Sequence, residues 1–174
     1  LRLDPGHILT PAVVAARHLA TSGYRHVMVL GAEGTKAPLR AAGITVTDPS
    51  APGEAEALLV GWTRDFGAAD LEAAARLVWA GAPVFATSVA PYFASAGGRM
   101  LGISGAIIAA LQNATGATAT VFGKPQTAGL NIAAEIAGTD PAEMVVIGDD
   151  PALEIAMARR AGALAIGVTT GVAD

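Results

Sequence analysis

Short, unbroken apolar runs alternate along this sequence with stretches of helical periodicity, and that alternation restricts the fold more than any single motif. The strand segments are Arg25 to Gly31, Ala57 to Trp62, Pro83 to Thr87, Thr118 to Phe122, Met144 to Gly148 and Ala163 to Thr169, and the run is least interrupted at Met144 to Ile147. An apolar run without polar alternation suits a strand covered on both faces. Between runs, Leu71, Ala74, Ala75 and Val78 fall at i, i+3, i+4 and i+7, the stripe of an amphipathic helix. Strand followed by helix throughout predicts an α/β fold on a parallel or mostly parallel sheet.

The other segments fit this scheme. Leu1 to Gly23 reads mostly as a helix, with Thr10 and Pro11 as cap and first-turn pair. Thr35 to Ala42 reads as a short helix, Ile44 to Val46 as a brief strand, and Asp48 to Glu56, with Pro49, Pro52 and Gly53, as a connector. Ala106 to Thr115, Thr127 to Ala137 and Pro151 to Ala161 are further predicted helices, the last with Arg159 and Arg160 in its final turn. Ser88 to Gly105 is the longest irregular segment. Loops of that length in a compact domain are functional or disordered. Tyr92, Phe93 and Arg99 there are large groups able to touch a ligand, and a mobile lid without specific contacts is the other reading.

With 174 residues the chain can bury a core, as one domain or two small ones. Its net charge is −4 with no basic run, which argues against a nucleic-acid partner. It has no cysteine, hence neither a disulfide frame nor a thiolate metal site. No apolar run reaches membrane-spanning length, so the expectation is a cytoplasmic protein without membrane contact. No zinc spacing, Gly-x-x-x-x-Gly-Lys-Ser/Thr loop or Gly-x-Ser-x-Gly elbow occurs. His7 and His18 have no partner at ligand spacing and read as surface or packing residues.

Two groups stand just past predicted strand ends, where ligands bind in open α/β sheets. Lys124 lies in Gly-Lys-Pro after the Thr118 run, and Asp149 in Ile-Gly-Asp-Asp after the Met144 run. Asp150 has a structural explanation, an N-cap with Pro151 at the first helical position. A second carboxylate beside a cap adds only repulsion, so Asp149 reads as functional.

Lys124, Asp149, Glu154 and the closing Ala-Gly-Ala-Leu-Ala-Ile-Gly-Val-Thr-Thr-Gly together resemble the haloacid dehalogenase (HAD) superfamily of phosphatases. The closer likeness is to its NagD-like, para-nitrophenyl phosphatase-like capped branch, which includes phosphoglycolate and glycerol-phosphate phosphatases. Val121 to Gly171 carries the core likeness, and Val27 to Thr115 looks like the branch's large α/β cap. The resemblance implies Mg²⁺-dependent hydrolysis of a small phosphorylated metabolite through an aspartyl-phosphate. Lys124 would then be catalytic, neutralising charge between phosphate and nucleophile, with Asp149 and Glu154 as metal ligands. Glu154 follows Leu153 where the family usually has Asp after Thr.

The cap departs from the branch. Ala86-Thr87-Ser88-Val89-Ala90 stands where Ala-Thr-Asn-x-Asp is common, and Gly102-Ile103-Ser104-Gly105 replaces a Pro-Gly-x-Gly turn. Thr87 and Ser88, with Tyr92 and Arg99, are the substrate-contact candidates. The family's nucleophile motif, Asp-x-Asp, is absent from this sequence, and Asp4 lacks the second Asp.

By this register the expected architecture is a Rossmann-like HAD core without its N-terminal part, interrupted by an inserted cap. Residues 1–23 would be a residual core helix, 24–118 the α/β cap and 119–174 the carboxyl half of the core. Such a chain is expected to be inactive alone, and to be marginal or to associate, for instance as a homodimer. A non-catalytic binding or regulatory relative is the alternative. A signalling receiver domain fits the Asp pair but carries its Lys after the acidic strand ends, not before.

Overall fold

A computed structural model describes residues 5–95 and 97–171; Asp4 lies outside them. In chain order the elements are α1 (Pro11–Thr21), β1 (His26–Leu30), α2 (Glu33–Ala41), β2 (Thr45–Thr47), β3 (Ala57–Val60), α3 (Ala68–Trp79) and β4 (Val84–Ala86). There follow β5 (Tyr92–Ser95), β6 (Gly98–Leu101), α4 (Ile103–Thr115), β7 (Thr120–Val121), α5 (Ala128–Ala137), β8 (Val145–Gly148), α6 (Ala156–Ala161) and β9 (Leu164–Gly167).

Five strands form one parallel sheet in the order β2-β1-β3-β4-β7. Its apolar runs are unbroken because both faces are covered. Val27, Val29, Ala57, Leu59 and Phe85 meet Val14 and Leu19 of α1, Leu39 of α2 and Ile132 of α5 on one face. On the other face, Met28, Leu30, Leu58 and Val60 meet Ala74 and Val78 of α3 and Ile107 and Leu111 of α4. The parallel α/β architecture read from the alternation is the one observed.

The apolar stripe of α1, Val14, Ala15, Ala16 and Leu19, is buried against the five-stranded sheet. β7 joins the same sheet beside β4, with Phe85 opposite Thr120 and Ala86 opposite Val121. An apolar helix face goes where an apolar sheet face is open to it.

β8 and β9 form a separate parallel pair. One face is covered by Leu130 of α5, Ala158 of α6 and Ala163. On the other, Val145 pairs with Leu164 and Ile147 with Ile166, and all four side chains are exposed, Ile147 at 64%. This contiguous apolar patch is the kind of surface that takes a partner.

Three segments differ from expectation. Ser88 to Gly105 is not irregular: β5 and β6 form an antiparallel hairpin and α4 already begins at Ile103. The hairpin escaped the pattern because Phe93, Arg99 and Leu101 are all exposed, so no face alternates. The helix expected from Pro151 starts as a wide π-type turn, Pro151–Ile155, before α6. At the amino end, a 3₁₀ turn at Pro5–His7 precedes α1, which starts only at Pro11 after its Thr10 cap.

Glu56 fastens the start of β3 to that of β1, its Oε2 accepting the Arg25 N–H at 2.6 Å and the His26 N–H at 2.9 Å. These bonds, Arg25's first, hold the carboxyl below the ordinary carboxylate value. A depressed folded-state pKa contributes stability above the unfolded-state value, and that contribution is lost as pH falls through the folded one. Glu56→Gln should therefore lower stability at neutral pH and make no difference in strong acid. Urea unfolding at both pH values checks this; an equal deficit at both would contradict it.

Candidate functional site

The carboxyl ends of β4, β7 and β8 open on one cleft of about 370 Å³. Thr87 follows β4, Lys124 follows β7 after Phe122 and Gly123, and Asp149 follows β8 directly. The hairpin forms the facing wall. Of the residues singled out in the sequence, Thr87, Ser88, Tyr92, Lys124, Asp149 and Glu154 all line this cleft. Arg99 does not; its guanidinium lies over the Tyr92 ring, 4.4 Å from the centroid.

Local chemistry fixes the acidic side. Asp150 Oδ1 accepts the Ala152 N–H at 2.8 Å, with Pro151 at the first position of the turn, so Asp150 is the N-cap. That turn brings Glu154 back over the strand end. Its Oε1 accepts a hydrogen bond from Lys124 Nζ in an ion pair, and its Oε2 faces the Asp150 N–H at 3.3 Å. Glu154 is only 14% exposed. Two glycines make room for these carboxylates: a Cβ at position 148 would overlap the Glu154 side chain, and one at 171 the Asp149 carboxylate.

Asp149, Asp150 and Glu154 face one ammonium, Lys124, so the lining is net negative. A phosphate dianion entering there needs a further cation. Among the described residues no three His, Asp or Glu side chains gather as a metal centre. Asp149 and Glu154 supply two carboxylates, which fits Mg²⁺, a cation that takes one or two and fills its shell with water and phosphate oxygens.

Trp62 and Ser104 also line the cleft and were not singled out. Trp62 stands just past β3, the same signal that marked Lys124 and Asp149, and could have been found by it. Ser104 owes its position to the packing of α4 and carried no such signal. No histidine lines the cleft; the His18 ring packs 5.0 Å from that of Phe122.

Residues 121–174 match the HAD-hydrolase-like family model. Chronophin from Rattus norvegicus is 35% identical over 150 residues, covering 85% of this chain and 48% of that protein. A p-nitrophenyl phosphatase from Archaeoglobus fulgidus superposes with a TM-score of 0.89 at 31% identity, over 99% of this chain and 66% of that one. The chain belongs to the haloacid dehalogenase superfamily. Its fold is that of the superfamily's capped phosphatases, and it spans about half the length of the curated relatives it matches. Another HAD relative, a glycerol phosphate phosphatase from Mycobacterium tuberculosis solved in complex with magnesium, superposes at 0.86 with 30% identity, over 94% of this chain and 49% of that one.

Proposed function

We propose that this chain forms the cap and phosphate-binding portion of a Mg²⁺-dependent phosphoester hydrolase acting on a small phosphorylated metabolite. The observation that carries the reading is the convergence of Lys124, Asp149 and Glu154, from two strand ends, on one cleft closed by the hairpin. In this reading residues 8–122 are the cap and the segments around α5, β8, α6 and β9 belong to the core. The setting is cytoplasmic, and a second copy covering the exposed β8–β9 face would make a homodimer. No described helix is long and apolar enough to cross a membrane.

Asp149 and Glu154 would hold the magnesium, which supplies positive charge against the phosphoryl oxygens. Lys124 Nζ, oriented by Glu154, donates to a phosphoryl oxygen and offsets the charge that builds up during transfer. Asp150 positions the turn that carries Glu154. Thr87, Ser88 and Tyr92 shield the reacting group from bulk water and contact the leaving group.

Transfer to the enzyme needs an attacking carboxylate. The sequence has no Asp-x-Asp, and no histidine stands in the cleft to activate Ser88 or Ser104. These 174 residues are therefore expected to bind phosphate without turnover. Hydrolysis of para-nitrophenyl phosphate with Mg²⁺ tests this: a rate above buffer that disappears in Lys124→Ala would place a nucleophile within the chain. The same absence supports a second reading, a phosphate-binding relative without catalysis. Coding sequence upstream of Leu1 separates the two, since an in-frame Asp-x-Asp supports the hydrolase and none supports the binder.

A further inference from the structure

β9 ends at Gly167, and the next N–H, that of Val168, donates to the Gly148 carbonyl at 2.9 Å, holding the start of the following turn beside the end of β8. The turn then brings Gly171 against Asp149. The backbone does not call for a glycine at 171, since its φ is not in the positive range that Gly138 and Gly162 adopt. Space does. A Cβ at position 171 would stand 2.8 Å from the Asp149 Cβ and 2.5 Å from its Cγ, and would overlap Oδ2. Rotating the carboxylate relieves the clash with Oδ2 but not the one with Cβ, which the end of β8 fixes in place. Gly167, on the neighbouring strand end, has nothing within 4 Å of the corresponding position.

We infer that Gly171 is a positioning residue for the cation: lying against Asp149, it holds that carboxylate toward the cleft and closes the side of Oδ2, so that a cation reaches it from the cleft alone. The inference rests on the metal site proposed at Asp149 and Glu154. A carboxylate approached from one side offers one oxygen. That suits Mg²⁺, which demands a near-ideal octahedron and fills it with water, whereas Ca²⁺ takes about six to eight oxygens in looser geometry, often two from one carboxylate. Gly171 therefore bears on which metal is held as well as how tightly. Glu154 is placed by other means, with room made by Gly148 and its Oε1 tied to Lys124, so Asp149 is the ligand that the turn decides.

The test is titration of Mg²⁺ and of Ca²⁺, each alone, into the chain, followed through the amide resonances of Gly148, Asp149 and Asp150. In Gly171→Ala the Mg²⁺ affinity should fall at least about tenfold, the scale of losing a group that orients a metal ligand, and by more than the Ca²⁺ affinity falls. Gly167→Ala should bind both metals as the parent chain does. Urea unfolding without metal should give one stability for the parent and both variants, which a glycine with a purely structural role would not. Unchanged Mg²⁺ affinity in Gly171→Ala, equal losses for the two metals, or lower metal-free stability in that variant overturns the inference while the metal site stands. If the parent chain shows no Mg²⁺-dependent shift at Asp149, the metal site fails and this inference fails with it.

Discussion

Leu59→Ala is expected to lower the unfolding free energy by roughly 3–5 kcal/mol. Leu59 is fully buried in β3, with Val29 of β1 and Phe85 of β4 in register on its two sides. It belongs to the cluster that α1 and α2 close with Val14, Leu19 and Leu39. Truncation removes buried methyl groups and leaves a void that a parallel strand paired on both edges cannot collapse into. Domains of this kind are stable by only about 5–15 kcal/mol, so the loss would be plain in urea unfolding followed by circular dichroism. A cost below about 1 kcal/mol, the scale of a surface change, would contradict the packing of α1 on this sheet.

The parallel sheet was legible because Val27 to Leu30 and Ala57 to Val60 are apolar without a break, which only two covered faces explain. Lys124 and Asp149 were legible as polar groups placed just beyond such runs. The β5–β6 hairpin was not, since Phe93, Arg99 and Leu101 face solvent and leave no periodic trace. Arg99 looked like a ligand contact, whereas its guanidinium is occupied by the Tyr92 ring. The setting of α1 was lost for another reason: its stripe shows that it packs, not on which sheet.

The largest functional effects are expected at Lys124 and Asp149. Lys124 is the one cation lining a cleft that also holds Asp149, Asp150 and Glu154. Its removal leaves Glu154 without its ion pair and any incoming phosphate facing carboxylates alone. Losing Asp149 removes the carboxylate proposed to hold Mg²⁺ just past the end of β8, and with it the charge that would let phosphate enter. A charge-assisted hydrogen bond is worth about 1.5–3 kcal/mol, so each substitution should weaken phosphate binding by roughly ten- to a hundredfold.

Isothermal titration of inorganic phosphate into the chain, with and without Mg²⁺, puts the phosphate site to its most direct test. Saturable binding is predicted only with Mg²⁺, and it should be lost or weakened at least about tenfold in both Lys124→Ala and Asp149→Ala. Phosphate binding of the same strength without Mg²⁺, or unchanged in both variants, would contradict the account.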